Sequence, residues 1–456
     1  MERFATNYLN QWLSSKNRKP LVIRGARQVG KTWLVRNFAT LCGRKLVELN
    51  FEKQPSHLSL FGSNDPKAIL FQLGTLVGEK LDPEKHLLFL DEIQSAPQLL
   101  AKLRWFAEDL PSLPVITAGS LLEFVLQEHT FSMPVGRINY MHLEPLTFEE
   151  FLLAKNQQVL YEYLLNYTVN FEIPYSIHEQ LMELFKEYIL VGGLPGVVAN
   201  WVTEHSLELV NQIQQDLLAT YRNDFAKYKG RIEITQLDEV FIAIPKMLGK
   251  KFVFSQINKQ MQSNAIKKIL HLFELARVSH RISWSAANGV PLAAEVKDKY
   301  FKEIFLDVGL SIGTLGLNLH QINTASKFNL INNGGIAEQV VGQLLRTINP
   351  FYVEPALYCW SREESGASAE VDYIIQYGSK IIPIEVKSGS TGSLKSLHLF
   401  MKLKNLTTAV RINSDVPTKT DLAVNFHNED QIKYQLLSIP FYLIGRIYQL
   451  LDHLDS

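Results

Sequence analysis

The stretch "GARQVGKT", Gly25 to Thr32, has the spacing GxxxxGK[ST], directly after the apolar run "LVIR" and before the helical run "WLVRNFATL". Glycines let a chain turn its N–H groups onto phosphate oxygens, so Gly25, Ala26, Arg27, Gln28, Val29 and Gly30 form an expected cradle for ATP. Lys31 would reach the β and γ oxygens, and the Thr32 hydroxyl would bind Mg2+ at the positive end of the helix. Further on, the apolar run "HLLFLDEIQ" ends in Asp91 and Glu92. A carboxylate in the place of Asp91 can hold magnesium, and Glu92 can polarise the attacking water, so hydrolysis rather than binding alone is expected. Ser120 closes "VITAGS", where its hydroxyl would contact the γ-phosphate or the water, or else cap the helical run that follows. Arg137, in "MPVGRINY", is the candidate for an arginine finger reaching the nucleotide of a neighbouring copy, which would make the active form a homo-oligomer. A surface arginine without that role is the alternative.

A second set of chemistry-bearing residues lies in "IIPIEVKSG", Ile381 to Gly389. Glu385 and Lys387 are two positions apart in an apolar, strand-like run, so they share a face. Burying both is costly unless something uses them.

The elements that must position these groups are legible as periodicities. Short apolar runs alternate with helical patterns from about residue 20 to residue 145: "LVIRG", "KLVELNF", "HLLFLDE", "PVITAGS" and "RINYMHLEP". Such alternation predicts a mostly parallel sheet with helices on its faces. A mainly helical stretch follows from Thr147 to Lys229, with "VGGLPG" as its clearest turn, and mixed strand and helix return from residue 333 onward. A length of 456 residues suggests about three domains at the soft prior of roughly 150 residues each.

Composition narrows the function classes. Hydrophobic residues make up 46% and charged residues 20%, with a formal net charge of zero, so any attraction to nucleic acid must be local. One such place runs from Lys246 to Arg281, where Lys246, Lys250, Lys251, Lys259, Lys267, Lys268, Arg277 and Arg281 stand against the single acid Glu274. The two helical patterns and strand-like "VSHRIS" of this segment resemble a winged helix, with Lys267 and Lys268 on its second helix facing phosphates; a solvated helix face is the alternative. Two cysteines, Cys42 and Cys359, lack the spacing of a disulfide framework or a zinc site, which fits a reducing, cytoplasmic setting. The first twenty residues lack the apolar core of a secretory signal and read as mature protein, and no run is long enough to predict a membrane span.

Taken in order, "GARQVGKT", "FLDEIQ", "TAGS", "GRINYMHLEPLTFEEF", "YILVGGLPGVV", "TYRNDFAKY", "YFKEIFLDVGL", "AEVDYII" and "IPIEVKSGS" resemble the AAA-type prokaryotic ATPases whose C-terminal half is a domain of unknown function related to the PD-(D/E)XK nucleases. The resemblance implies an α/β protein in four parts. These are an AAA+ P-loop ATPase core with a parallel sheet (1–150), a helical lid-like region (151–229), a winged-helix-like domain (230–325) and a restriction-endonuclease-like α/β domain (326–456).

In the nuclease fold so implied, a helix carries a glutamate, a hairpin an aspartate and the next strand Glu-x-Lys. Glu338 in "GGIAEQVVGQLL", Asp372 in "AEVDYIIQYG", Glu385 and Lys387 stand at those places. Asp372 and Glu385 would hold Mg2+ while Lys387 orients the water or stabilises charge on the phosphate. Val371 stands where that superfamily often has proline. Two readings of the whole chain follow. In one, ATP hydrolysis drives engagement of nucleic acid, DNA being favoured, and the C-terminal domain cuts it. In the other, the chain is a nucleotide-dependent switch or scaffold for DNA or a protein partner, with a silent nuclease fold.

Overall fold

The computed structural model describes residues 1–120, 122–127, 134–228, 232–316, 334–364, 367–389, 393–426 and 431–455. The expected domain boundaries near 229 and 325 and the last residue of "IPIEVKSGS", Ser390, lie outside the described residues. Two compact units result. The first comprises Met1–Glu144 with Leu275–Arg277 and Asn349–Glu354; the second comprises Pro145–Glu274, Val278–Ile348 and Pro355–Ser456.

Strand and helix alternate through the first unit: α1 (Ala5–Ser14), β1 (Leu21–Arg24), α2 (Lys31–Leu41), β2 (Lys45–Asn50), α3 (Pro66–Val77), β3 (His86–Asp91), α4 (Gln98–Asp109), β4 (Val115–Ala118), α5 (Leu122–Gln127) and β5 (Asn139–His142). The five strands form one parallel sheet in the order β2-β3-β4-β1-β5. Strands covered on both faces read as near-continuous apolar runs. All six residues of β3 and all four of β4 are accordingly buried, and Leu88, Leu90 and Val115 join Leu99, Leu103 and Phe106 of α4 in one core. The order places the end of β1, which leads into the glycine loop, two strands from the end of β3. Ligands of open parallel sheets sit at such carboxyl ends.

The second unit begins with helices α6 (Phe148–Ala154), α7 (Gln158–Asn166), α8 (Tyr175–Val191), α9 (Pro195–Glu204), α10 (Leu207–Tyr228), α11 (Ile234–Lys246) and α12 (Ser263–Leu275). There follow β6 (Ser279–Ser285), β7 (Val296–Phe305), α13 (Val308–Thr314), α14 (Gly334–Leu345), β8 (Leu357–Glu364), β9 (Ala367–Tyr377), β10 (Lys380–Val386), α15 (Lys395–Lys404), β11 (Thr408–Asn413), β12 (Thr418–Asn425), β13 (Gln431–Pro440) and α16 (Ile447–Asp455). The strands build one mixed sheet in the order β12-β13-β11-β10-β9-β8-β6-β7. Here the structure departs from the expected winged helix over 230–325. The β6–β7 hairpin pairs in parallel with β8, at Ile282 opposite Leu357, so it forms the edge of the larger sheet instead of closing a small domain of its own. Backbone groups along a strand must be paired somewhere, and β8 supplies the partner. Among the described residues no helix is long and apolar enough to cross a membrane.

The turn "VGGLPG" between α8 and α9 has a local cause. Gly192 has φ of 80° and ψ of −174°, a region open essentially to glycine alone, and a Cβ there would lie 2.0 Å from Asp307 Oδ1. Asp307 accepts from the Gly193 N–H at 2.7 Å and from the Leu310 N–H at 3.2 Å, which ties the turn to the start of α13. Gly192→Ala is therefore expected to lower thermal stability by at least the roughly 1–3 kcal/mol of the backbone strain. Gly196→Ala, where a Cβ meets nothing within 4 Å, should be neutral or slightly stabilising in the same melting experiment.

Candidate functional site

The glycine loop is shaped by what has no room for a side chain. A Cβ on Gly25 would lie 2.4 Å from the Leu143 carbonyl oxygen, and Gly30 is left-handed at φ of 90°, which starts α2 at Lys31. Arg3 braces the loop from α1's approach, donating to the Val29 carbonyl at 3.0 Å and to the Glu144 carbonyl at 2.8 Å. Lys31 folds back over the loop, its Nζ donating to the carbonyls of Gly25 (2.9 Å) and Ala26 (2.7 Å). Burial pushes its pKa down to about 8, with Glu92 and Asp91 pulling the other way.

Thr32 and Asp91 meet across the sheet. The Thr32 hydroxyl lies 3.3 and 3.1 Å from the two Asp91 carboxylate oxygens, and Asn50, opposite Asp91 in the β2–β3 register, donates to Asp91 Oδ2 at 3.1 Å. Burial raises the Asp91 pKa, the neighbouring Glu92 charge adds to it, and Thr32 and Asn50 oppose it. A hydroxyl and a carboxylate converging at a helix N-terminus are the oxygen donors Mg2+ accepts, so the residues present fit that ion. Glu92 follows in the left-handed region at φ of 52° and takes a short hydrogen bond from the Gln94 amide. The other end of that amide, Gln94 Oε1, is buried without a partner beside Gly119. Ser120 is buried at the β4–α5 junction.

Several residues of this site escaped sequence reasoning. Asn50 was findable, because the last residue of a parallel strand lies beside the last residue of its neighbour. Arg277 was not. It sits left-handed at φ of 56° in the short segment that joins the first unit, donating to Glu123 and Glu354, both at 2.9 Å. Arg24, just before the loop, donates to the same Glu123 from its Nε at 2.7 Å. Burial pushes the Glu123 carboxyl up, but the two arginines outweigh it and hold the group below the usual range. Nearby His142 is pushed down to about 4, by burial first and Arg277 second, and is neutral at physiological pH. Arg137 is not brought to the loop of its own chain; its Nε pairs with Glu108 at 2.8 Å on the surface, and Arg104 shares that carboxylate at 3.1 Å.

The second set of residues comes together in the second unit. Tyr373 lies opposite Ile384 in the antiparallel β9–β10 pair, which sets Asp372 against Glu385. Asp372 Oδ2 accepts the Val386 N–H at 2.8 Å, and Glu385 Oε1 accepts Lys387 Nζ at 2.6 Å. Glu338 arrives on α14, which is fastened to β7 by Gln339, whose amide bonds both the N–H and the carbonyl of Phe305 at 2.8 Å. Missing from the sequence reading are Lys302 of β7 and Glu370 of β9. Lys302 Nζ lies 2.8 Å from Glu338 Oε2 and 3.7 Å from Asp372 Oδ1, and it contacts Glu370 more closely still. Burial works against its charge, yet Glu338, Asp372 and Glu370 outweigh it and its pKa is well raised. Burial also raises the Glu338 and Glu385 carboxyls.

Mg2+ on Asp372 and Glu385 does not fit this arrangement. Mg2+ demands about six oxygens in octahedral array. One Asp372 oxygen is spent on a backbone N–H, the other faces an ammonium, and one Glu385 oxygen is held by Lys387. Of these four oxygens Glu385 Oε2 alone is buried without a hydrogen-bond partner, and in the neighbouring Glu370 so is Oε1. Among the described residues no three His, Cys, Asp or Glu side chains are grouped to hold a metal.

Residues 17–152 match the family described as an AAA domain, which takes in the glycine loop, Asp91, Glu92 and Ser120. The N-terminal portion is thus an AAA-type nucleotide-binding domain with a parallel sheet. Residues 182–321 match a domain of unknown function (DUF8612), and residues 333–442 match another (DUF4143). Among solved structures the chain is similar to a Walker-type ATPase of Pyrococcus abyssi, with 17% identity, a TM-score of 0.42, and coverage of 69% of this chain and 95% of that one. It is also similar to the ORC1 protein of Aeropyrum pernix in complex with DNA, with 10% identity, a TM-score of 0.26, and coverage of 68% and 90%. No curated protein matches the chain.

The depressed Lys31 pKa has a measurable consequence. A nucleotide phosphate placed against Lys31 would favour the ammonium and raise its pKa, so that above about pH 8 such binding would take up a proton. ATP affinity is expected to fall as pH rises from 8 towards 10, by up to about tenfold per unit. Calorimetry in two buffers of different ionisation heat should show uptake approaching one proton per ATP; none would contradict the assignment.

Proposed function

We propose that the chain is a Mg2+-dependent ATPase whose turnover switches a nucleic-acid-binding second unit. The observation that carries the ATPase reading is the convergence of Lys31, Thr32 and Asp91 at the carboxyl edge of a parallel sheet, the Thr32 hydroxyl 3.1 Å from the Asp91 carboxylate. Thr32 and Asp91 would hold Mg2+, which when bound neutralises phosphate charge. Loop amides and Lys31 bind and orient the γ-phosphate, while Glu92, positioned by Gln94, takes the proton of the attacking water. Lys31→Ala is expected to abolish turnover, and Glu92→Gln to keep ATP binding while slowing hydrolysis by about 10²-fold or more. Unchanged phosphate release by the Lys31 variant would end this reading.

The proposed nucleic-acid surface rests on fewer charges than the sequence suggests. Arg277 is buried in the first unit, Arg281 pairs with Glu274 at 2.9 Å, and Lys251 pairs with Glu363 at 2.7 Å. Lys246, Lys250, Lys259, Lys267 and Lys268 are exposed. On α12, Ile266, Ile269, Leu270 and Phe273 are buried, which leaves Lys267 and Lys268 to solvent. Affinity for duplex DNA should fall steeply with salt, and Lys267→Glu with Lys268→Glu should weaken binding to all sequences alike, reducing the salt slope by about 2. If the wild type binds no DNA or RNA at low salt, the partner is a protein. An assembly in which Arg137 serves a neighbouring copy would break its solvent-exposed pair with Glu108 at small cost; turnover per subunit that rises with protein concentration is its signature. Of the two readings of the C-terminal part, the switch or scaffold is the one its poor fit to a metal supports.

A further inference from the structure

We infer that the Lys302 ammonium is the built-in cation of the C-terminal carboxylate cluster, standing where a divalent metal would otherwise be needed and excluding one. The inference deepens the switch or scaffold reading and concerns the second unit alone, so it is independent of ATP hydrolysis.

Glu338 from α14 and Glu370 and Asp372 from β9 converge on one Nζ. Glu370 and Asp372 share a face because they are two apart on a strand. The Lys302 side chain is 1% exposed, so neither its charge nor its donors are satisfied by bulk water. It crosses from β7, which the sheet order separates from β9 by β8 and β6, and α14 is clamped to β7 by Gln339. Tyr373 on β9 adds a bond to the Glu338 carbonyl at 2.7 Å. The ammonium therefore stands where three elements meet, much as a structural metal would. A lysine cannot share this space with a divalent cation: like charges at such range in a buried site repel strongly, and Glu338, Glu370 and Asp372 already face its ammonium. What remains, Glu385 with Lys387, is a second carboxylate–ammonium pair whose one unengaged oxygen, Glu385 Oε2, is far short of the set a divalent cation takes.

The test uses the full chain without nucleotide, in an Asp91→Asn background so that the ATP site contributes no cation binding. Mn2+ binding is followed by electron paramagnetic resonance and thermal unfolding by calorimetry, at matched ionic strength. Without Lys302→Met, the chain is expected to bind no Mn2+ tightly and its midpoint to be indifferent to Mn2+, Mg2+ or Ca2+. With it, the midpoint should fall by several degrees, most of that loss should return with millimolar divalent cation, and bound Mn2+ should approach about one per chain. Glu370→Gln or Asp372→Asn added to Lys302→Met should remove the rescue. Two results would overturn the inference: Mn2+ bound with Lys302 intact and lost on Glu385→Gln, or a folded Lys302→Met variant that no cation stabilises. Should Lys302→Met yield no folded protein, the titration of the Lys302-containing chain decides: binding that Glu385→Gln abolishes refutes the inference, and its absence together with an unresponsive midpoint upholds it.

Discussion

An ammonium group removed from water must be given oxygen in return, and Lys31 and Lys302 meet that requirement in opposite ways. Lys31 receives two backbone carbonyls, from Gly25 and Ala26. Lys302 receives three carboxylates, from Glu338, Glu370 and Asp372. Neutral carbonyl dipoles stabilise a cation weakly, which leaves the first lysine under-neutralised with its pKa pushed down to about 8. Carboxylates stabilise it strongly, and the second lysine goes the other way.

That difference separates a binding group from a structural one. On the proposed reading Lys31 would gain by exchanging carbonyls for phosphate oxygens, because the ligand would bring the charge that the free loop lacks. Its surroundings are arranged for the exchange: Gly25 has no room for a Cβ, and Arg3 and the Arg24–Glu123–Arg277 network sit around the loop's base. Lys302 has nothing to gain from a ligand. Removing it would strand three carboxylates, and breaking a buried pair costs about 3–5 kcal/mol where replacing it whole costs little.

The second unit also shows how a local pattern and its larger setting can diverge. Of the two helical patterns and the strand-like run read between Lys246 and Arg281, the second helix and the strand are present as α12 and β6, whereas "SQINKQM" forms no α-helix and only a short 3-10 turn at Phe254–Gln256. Assembly into a small closed domain is absent, because the β6–β7 hairpin finds its backbone partner in β8. The same placement makes Lys302, an unremarked lysine in "KDKYFKEIF", the centre of the carboxylate cluster. It also divides the run of eight basic residues, whose arginines turn inward to Glu123, Glu354 and Glu274.

Sequence by itself determined what depends on neighbours along the chain. Short, nearly continuous apolar runs, such as the four residues Leu87 to Leu90 of β3, specified the parallel strands, since strands covered on both faces read that way. The spacing of Gly25, Gly30, Lys31 and Thr32 specified the glycine loop ahead of α2, because its geometry is made within eight residues. Period two placed Glu385 and Lys387 on one face, and the register of β9 with β10 set Asp372 beside them. Only the tertiary structure decided which charges meet. Arg277 joins Glu123 and Glu354 across long stretches of chain, Arg137 is taken by Glu108, and Lys302 comes from a strand three places removed in the sheet. Coulomb energy depends on distance in space and on burial, and neither is a function of separation in sequence.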